Sequence, residues 1–422
     1  MASPKKTFTL SEDWAVVVLG YIIILLALLG VYIIAPTYDW GNGAPISDTV
    51  LSGGNCYRIL IQFLFAYTIA ILGALITGKN VATIFKSFPV IFLLTMLASF
   101  LGGNEQVKVL NLETVIFCLA IGLAARNFFN LPAWLKDTLS SEFFVKIGLV
   151  LLGTNVIFSD ILKTGSLGLI QALLVVLSVW YFSFWLCKKM KIDKELSIMM
   201  SSAVSICGVS AAIATSGAIK GDSKKLSLVV SLVLITAVPM MIAMPWVARW
   251  LGLSQEVTGA WLGGTIDTTG AVAASGTLVG ETALKISTIV KFSQNVLLGF
   301  AAFAISIYWT YTKAASSQVS EKPTLKLIWQ RFPKFVIGFV FASLVFSFFI
   351  DPEIIQTIKS PLKSLQGLWF ALAFTCIGLE TNFRDLVGVQ NRKPVLAFLG
   401  AQAFNILITL LIAYFLFGSD LY

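Results

Sequence analysis

The stretch LSIMMSSAVSICGVSAAIATSG, residues 196–217, has the length of a membrane span but not the usual composition of one. A helix needs roughly 20 residues to cross a bilayer. From Ser201 onward, however, the stretch is almost entirely Ser, Ala, Gly, Thr and Cys. Small residues let other backbones approach closely, and Gly and hydroxyl side chains let a helix unwind where protein or water satisfies the freed peptide groups. The stretch therefore predicts a broken helix at membrane depth.

A second stretch of this kind, GAWLGGTIDTTGAVAASGTLVG at residues 259–280, carries the carboxylate of Asp267 in its interior. Two Gly/Ser/Thr-interrupted segments in an otherwise apolar chain point to the binding site of a secondary transporter. We expect both segments, 196–219 and 256–280, to be discontinuous spanning helices. The alternative is a pair of re-entrant hairpins that enter the membrane from opposite sides.

The composition is that of a membrane protein. Hydrophobic residues make up 57% of the chain and charged residues 12%, with a mean hydropathy of +0.88. Soluble domains carry about twice that share of charge. The formal net charge of +9 does not indicate a nucleic-acid partner, because the Lys and Arg residues lie in short loops, where they set topology in the lipid bilayer.

The apolar runs predict an all-α polytopic membrane protein with about 11–13 transmembrane segments. These runs are 14–35, 57–78, 88–103, 110–126, 143–162, 165–187, 196–219, 226–248, 256–280, 283–312, 333–350, 365–381 and 393–417. We expect 1–130 to form part of a scaffold, 143–312 the core transport region, and 333–422 the segments that complete a second, inverted repeat. The repeat is indicated by LGTNVIFSD at 152–160, which aligns without gaps with IGLETNFRD at 377–385.

Basic residues fall on every second loop, which predicts a cytoplasmic N-terminus. One loop breaks the pattern. Lys220, Lys224 and Lys225 would lie outside if segment 196–219 crosses the membrane, whereas a re-entrant hairpin would return them to the cytoplasm.

Asp267, in GGTIDTTG, is the first candidate for coupling to an ion. A carboxylate inside the membrane is costly unless it is paired, hydrated or protonated, so it is a functional hypothesis by default. Asp267 is expected to bind Na⁺ or carry H⁺, helped by the hydroxyls of Thr265, Thr268 and Thr269 and by unwound carbonyls. Thr268, Thr269 and Gly270 are also candidates to bind the solute. The alternative is that Asp267 caps a half-helix.

The break in the first stretch is expected at Ser205, Cys207, Gly208 and Ser210. A half-helix that begins there would direct free N–H groups and a positive dipole end at an anion. The alternative is close helix packing through small residues, as in the GxxxG of Gly259 and Gly263.

Further polar residues are candidates to line the site. Lys291, Gln294 and Asn295 share a helix face at i, i+3, i+4. A buried Lys needs a carboxylate, a cavity or an anion. Asp267 or Glu380 could pair with it. Asn155, Glu380 and Asn382 end apolar runs, where they could instead snorkel to the interface.

The runs SICGVSAAIAT, GGTIDTTGAVAASGTLVGETALKISTIVKFSQN and IGLETNFRDL resemble those of the bacterial YeiH-type sulfate exporter family, from about residue 90 onward. The resemblance implies a carrier of the bacterial inner membrane, related by fold to the cation/proton antiporter and bile-acid transporter group. It also implies a core with crossed broken helices, a scaffold that forms a homodimer, and sulfate or a related anion as the solute.

We therefore expect a secondary transporter that moves a small anionic solute by alternating access, coupled to H⁺ or Na⁺, with no cofactor. A channel, in which polar rings line a continuous pore, is the alternative. An enzyme is not expected, because the chain has no His to serve as a base for Cys207 and no CxxC pair.

Overall fold

The computed structural model describes residues 9–31, 33–41, 43, 45–109, 114–136, 138–313, 329, 332–382 and 392–418. Across these residues the chain is helical without a β-strand, apart from an isolated bridge between Trp40 and Asn104. The prediction of an all-α polytopic membrane protein is confirmed.

Internal contacts divide the chain into two compact units. Unit 1 contains Met1–Phe158 and Lys334–Asn382, and unit 2 contains Ser159–Pro333 and Phe383–Tyr422. The division differs from the expected ranges, since 143–158 belongs to unit 1 and 383–422 to unit 2. The roles assigned to 1–130, 143–312 and 333–422 stay predictions.

Unit 1 contains nine described helices. They are α1 (Glu12–Leu28), α2 (Gly53–Thr77), α3 (Val81–Gly102), α4 (Glu105–Val109), α5 (Thr114–Phe128), α6 (Ala133–Lys136), α7 (Ser141–Leu152), α15 (Lys334–Phe348) and α16 (Pro352–Glu380).

Unit 2 contains the two segments rich in Gly, Ser and Thr, 196–219 and 256–280. Its described helices are α8 (Phe158–Lys189), α9 (Lys194–Ser202), α10 (Val209–Ile219), α11 (Ser223–Trp250), α12 (Gln255–Thr265), α13 (Thr269–Val279), α14 (Glu281–Lys313) and α17 (Arg392–Phe417). A π-helical stretch, Ala203–Cys207, continues α9.

Seven described helices are long and apolar enough to cross a membrane: α2, α3, α8, α11, Glu281–Trp309 of α14, α16 and α17. One predicted boundary is wrong. The chain does not break between runs 143–162 and 165–187, because α7 ends at Leu152 and α8 runs unbroken from Phe158. The break comes earlier since Val156 is extended after a 3₁₀ turn over Gly153–Asn155.

The proposed repeat can be followed only in part, because 383–385 lie outside the described residues. In the comparable part, Leu152 is the last residue of α7 and Glu380 the last of α16. Both copies of the motif therefore mark the C-terminal end of a helix in unit 1.

Segment 194–219 folds back on itself, so the expectation of a spanning helix is wrong here. Lys225 forms 2.6 Å ion pairs with Asp193 and Glu195, and the backbone N–H of Asp222 donates to the Glu195 carboxylate at 2.6 Å. A single helix rising 1.5 Å per residue would hold these ends on the order of 40 Å apart. Residues 194–219 therefore form a re-entrant hairpin, called hairpin 1 below.

Segment 255–279 is a second hairpin, hairpin 2. The Gln255 side-chain oxygen at its start accepts from the Ala283 backbone N–H at 3.4 Å, just past its end. A Cβ on Gly280 would lie 2.5 Å from the same oxygen. The expectation of a spanning helix is therefore wrong for this segment too, and the two broken helices are hairpins rather than crossed spans.

Hairpin 1 lies in the apolar core of unit 2. Met199 in its first arm is fully buried, as are Val179 of α8, Val229 of α11 and Phe398 of α17, which belong to the same core cluster. Irregular backbone at membrane depth is tolerated where protein surrounds it. This packing accounts for a π-helical stretch and a chain reversal inside an apolar unit.

Hairpin 2 packs against α14 through glycines. A Cβ on Gly259 would lie 2.8 Å from the Ala283 carbonyl oxygen, and one on Gly263 would lie 2.5 Å from that of Ser287. The GxxxG of hairpin 2 thus serves the close helix packing that was the alternative reading for small residues.

Candidate functional site

The tips of the two hairpins meet. Gly208 joins the two arms of hairpin 1 at φ +59° and ψ −113°, a conformation that residues with a side chain rarely adopt. A Cβ there would lie 3.0 Å from the Asp267 Cβ and 2.6 Å from Val233 Cγ1. Glycine at this position therefore allows the tip of hairpin 1 to contact the tip of hairpin 2.

Asp267 lies in the three-residue link between the arms of hairpin 2 and is 1% exposed. Its Oδ2 has no hydrogen-bond partner among the described residues. It does not cap the second arm, because the Thr268 hydroxyl accepts from the Ala271 N–H at 3.3 Å. The capping alternative for Asp267 is therefore wrong. Gln402 hydrogen-bonds to its carboxylate, and Oδ2 remains available to accept from a solute or water or to bind an ion.

Lys291 of α14 brings a buried ammonium to the same place, at 1% exposure. Its Nζ donates to the Ile206 carbonyl at 2.9 Å and to Gln294 Oε1 at 2.8 Å. The described ion pairs include none between Lys291 and Asp267, although their opposite charges are close enough to interact. The hydrogen-bond partners of the ammonium are thus a carbonyl of hairpin 1 and a side-chain amide, and pairing of Lys291 with Glu380, which belongs to unit 1, stays a prediction.

Two side chains each bridge the first arms of both hairpins. Gln294 Nε2 of α14 donates to the Ser205 carbonyl at 2.8 Å and to the Gly264 carbonyl at 3.2 Å. Carbonyls at the end of a helix have no intrahelical partner, and leaving them unpaired in an apolar interior is costly. Gln294 satisfies one such carbonyl in each hairpin.

Asn405 of α17 makes the equivalent bridge. Its Nδ2 donates to the Val204 carbonyl at 3.1 Å and to the Thr265 carbonyl at 3.2 Å. Gln402 also donates to the Thr265 carbonyl, at 3.2 Å. Gln402 and Asn405 were not among the residues predicted from the sequence, although their i, i+3 spacing marks a polar stripe on an apolar helix.

The remaining candidates in unit 2 lie around these tips. Ser205 is fully buried and donates to the Ser201 carbonyl at 2.7 Å, and Cys207 is 6% exposed. Ser210 is exposed in the first turn of α10, and Thr269 accepts from Asn295 Nδ2 at 3.3 Å. Gly270 is partly exposed in the first turn of α13.

Several buried oxygens in unit 2 have no hydrogen-bond partner among the described residues. They include Thr265 Oγ1, Asp267 Oδ2, Asn295 Oδ1 and Gln402 Oε1. Buried polar atoms in native proteins are normally satisfied, so such atoms require water or a ligand. The hairpin junction can therefore accept hydrogen bonds or coordinate a positive charge.

The candidates Asn155, Glu380 and Asn382 belong to unit 1 instead. Glu380 accepts from the Ser141 N–H at 3.0 Å and from the Ser141 hydroxyl at 2.6 Å, at the N-terminus of α7. Asn155 Nδ2 donates to Gln366 Oε1 at 3.2 Å. Asn382 follows Thr381, the C-cap residue of α16. Glu380 therefore has a local structural role, and site lining by the three residues stays a prediction.

The loop at the base of hairpin 1 lies outside the spanning helices and carries a cluster of charges, called the clasp below. In the clasp, Lys225 forms ion pairs with Asp193 and Glu195. Burial raises the pKa of Asp193, but the hydrogen bonds from Lys225 and from the Leu196 N–H outweigh it, so that its pKa falls below the ordinary value. The clasp places Lys225 beside the start of hairpin 1. This position agrees with the re-entrant alternative for the loop that broke the charge pattern.

Fold and site together define a polytopic α-helical membrane protein built around two re-entrant hairpins. Residues 86–397 match the family model described as conserved hypothetical protein 698. A UPF0324 membrane protein of Rhodopirellula baltica is 41% identical over 85% of this chain and 67% of its own length. The chain belongs to this family.

Other relatives carry the same family name. A UPF0324 membrane protein of Nitratidesulfovibrio vulgaris is 36% identical over 82% of this chain, which spans 62% of that relative's length. One of Nitrosomonas europaea is 26% identical over 90% of both chains. No solved structure matches the chain.

Proposed function

We propose that the chain is a secondary active transporter that moves a small anionic solute, sulfate or a related anion, across the bacterial inner membrane by alternating access. The transport is coupled to H⁺ or Na⁺, and the working form is a homodimer. The observation that carries the proposal is the meeting of two broken helices, Gly208 against Asp267, inside one compact unit. Broken helices that meet in the membrane are the usual architecture of carrier sites.

Two helix N-termini support an anionic solute. The second arm of hairpin 1 begins after Gly208 without a side-chain cap, and Ser210 in its first turn is exposed. The second arm of hairpin 2 begins at Thr269, which is partly exposed, and the Thr268 hydroxyl accepts from one N–H of this first turn, that of Ala271. Free N–H groups and the positive dipole end of a helix favour an anion.

The charge of the junction supports coupling to a cation. Asp267 and Lys291 carry opposite charges on buried side chains, and Asp267 keeps one oxygen without a partner. Buried ionisable groups inside membrane proteins commonly mark ion or proton pathways. Asp267 is thus the proposed coupling residue, and the anion binds beside it at the exposed first turns.

The test is solute flux in proteoliposomes that contain the purified full-length chain. The experiment uses labelled sulfate, a sulfonate and a dicarboxylate in turn. A carrier gives saturable uptake and counterflow, and an imposed H⁺ or Na⁺ gradient drives accumulation. Asp267→Asn should keep counterflow and lose gradient-driven accumulation. Linear, unsaturable flux in the wild type would reject the carrier in favour of a channel.

A further inference from the structure

The contacts of Lys291 are those expected of a bound cation. The first arm of hairpin 1 ends in the π-helical stretch, and the Ile206 carbonyl near that end accepts from the ammonium at 2.9 Å. The C-terminal end of a helix carries a partial negative charge. In carriers with broken helices, such carbonyls coordinate the coupling cation.

The other groups around Lys291 complete an oxygen-rich set. Gln294 Oε1 accepts from the same ammonium at 2.8 Å. A backbone carbonyl and a side-chain amide oxygen are ligands that hard cations such as Na⁺ and Ca²⁺ also use. The Asp267 carboxylate is not in ion-pair contact with the ammonium and acts on it through its charge. Here the ammonium of Lys291, which is covalently attached to the chain, lies where a free cation would bind these oxygens.

The ammonium of Lys291 already occupies the oxygens that a free cation would need. The side chain is 1% exposed, and its Nζ is bonded to the Ile206 carbonyl and to Gln294 Oε1. An added Na⁺ would compete with the ammonium for these oxygens. Like charges in a low-dielectric interior repel strongly.

We propose that Lys291 is a tethered cation that takes the place of an alkali ion at the junction of the two hairpins. The protein then needs no Na⁺ to assemble this junction. The consequence for transport rests on the proposed function: H⁺ remains as the coupling ion. The side chain of Lys291 acts here as a positioning residue, because it holds the end of hairpin 1 beside Asp267.

The experiment measures the thermal stability of the purified chain in detergent. Chlorides of Na⁺, Li⁺, ammonium and methylammonium replace choline chloride at constant ionic strength. Wild type should show no selective response to any of these cations. Lys291→Ala should have a lower Tm that rises saturably with a small cation, because an ion that binds only the folded state stabilises it by mass action.

Lys285→Ala is the matched control, since Lys285 lies on the same helix and pairs with the exposed Glu281 at 3.1 Å. Its Tm should not respond to small cations. If Lys291→Ala does not fold, Lys291→Gln, which keeps a long side chain, takes its place. The titration of wild type with the same cations still tests the proposal.

Three results would overturn the proposal. The first is selective stabilisation of wild type by Na⁺. The second is a Lys291→Ala Tm equal to that of wild type. The third is a destabilised variant that no small cation restores. Because these readouts need no flux, they stand even if the transport proposal fails, and Na⁺-dependent flux by the wild type would contradict this inference alone.

Discussion

Asp193 and Lys225 stand at the two ends of hairpin 1 and are joined by an ion pair of 2.6 Å. The same ammonium pairs with Glu195, also at 2.6 Å. Asp193 directly precedes the first arm, and Lys225 lies in the first turn of α11, which follows the second arm. The two ion pairs show that the chain reverses inside unit 2 instead of passing through it.

Removing this clasp should weaken the protein slightly at neutral pH. Lys225→Met leaves Asp193 and Glu195 without their cation, and since the partners are 21–52% exposed the cost should be at most about 1 kcal/mol. Chemical denaturation of both proteins measures it. A loss several times larger would mean that the clasp holds the hairpin closed.

The pH dependence of that difference has a defined sign. The pKa of Asp193 is lowered in the folded state, so its contribution is present above its unfolded pKa, near 3.8, and is lost as the pH falls through the folded value. The gap in stability between wild type and Lys225→Met should therefore close at acid pH. A gap that persists in full below the folded pKa would contradict the assignment.

The hairpin can be tested by labelling from either side of the membrane. With Cys56 replaced by Ser, single cysteines at Asp193 and Asp222 should react with an impermeant thiol reagent from the same side. Leu251→Cys is the control for the opposite side, because α11 separates it from Asp222 by a full span. Labelling of the cysteines at 193 and 222 from opposite sides would show that the segment between them spans the membrane.

Gly208→Ala should destabilise the protein by about 1–3 kcal/mol, the cost of a side chain in a rarely populated backbone conformation. Crowding against Val233 and Asp267 adds to that cost. Gly367→Ala is the matched control, because a Cβ there would meet nothing within 4 Å inside helix α16, and it should be neutral or stabilising. Equal stability of both variants would show that the tips do not need the glycine.

Gln294→Leu tests the bridge between the hairpins. The change leaves the carbonyls of Ser205 and Gly264 without this donor, and a buried unpaired carbonyl costs about 1–3 kcal/mol. Gln356→Leu on the exposed face of α16 controls for the substitution itself. The measurement is the Tm of each variant, and an unchanged Tm for Gln294→Leu would mean that the bridge is not needed.

The positions of the breaks could be predicted from the sequence, whereas the path of the chain after each break could not. Ser, Gly and Thr mark where a helix is free to unwind, and the breaks do fall beside Gly208 and Asp267. The direction of the next arm depends on distant contacts, such as Gln255 with Ala283. Only the charges of Lys220, Lys224 and Lys225 hinted at the reversal.

The candidate site was predictable on the hairpins and less so on the supporting helices. Asp267 and Lys291 are conspicuous because charge inside an apolar run is costly. Gln402 and Asn405 are neutral amides in a long apolar helix, and their importance depends on carbonyls that no local pattern reveals. Glu380 was selected because it ends an apolar run, yet its bonds satisfy the N-terminus of α7 in unit 1.

The most direct test of the central claim is anion binding to Ser210→Asp. Ser210 is exposed in the first turn of α10, where a carboxylate is compatible with the helix dipole but would occupy the place of an anionic solute. Ser223→Asp, in the exposed first turn of α11, is the control. We predict saturable binding of a small anion by wild type and Ser223→Asp, and at least about tenfold weaker binding by Ser210→Asp, which is 1.4 kcal/mol. Equal affinity in all three proteins would contradict an anion site at the hairpin tips.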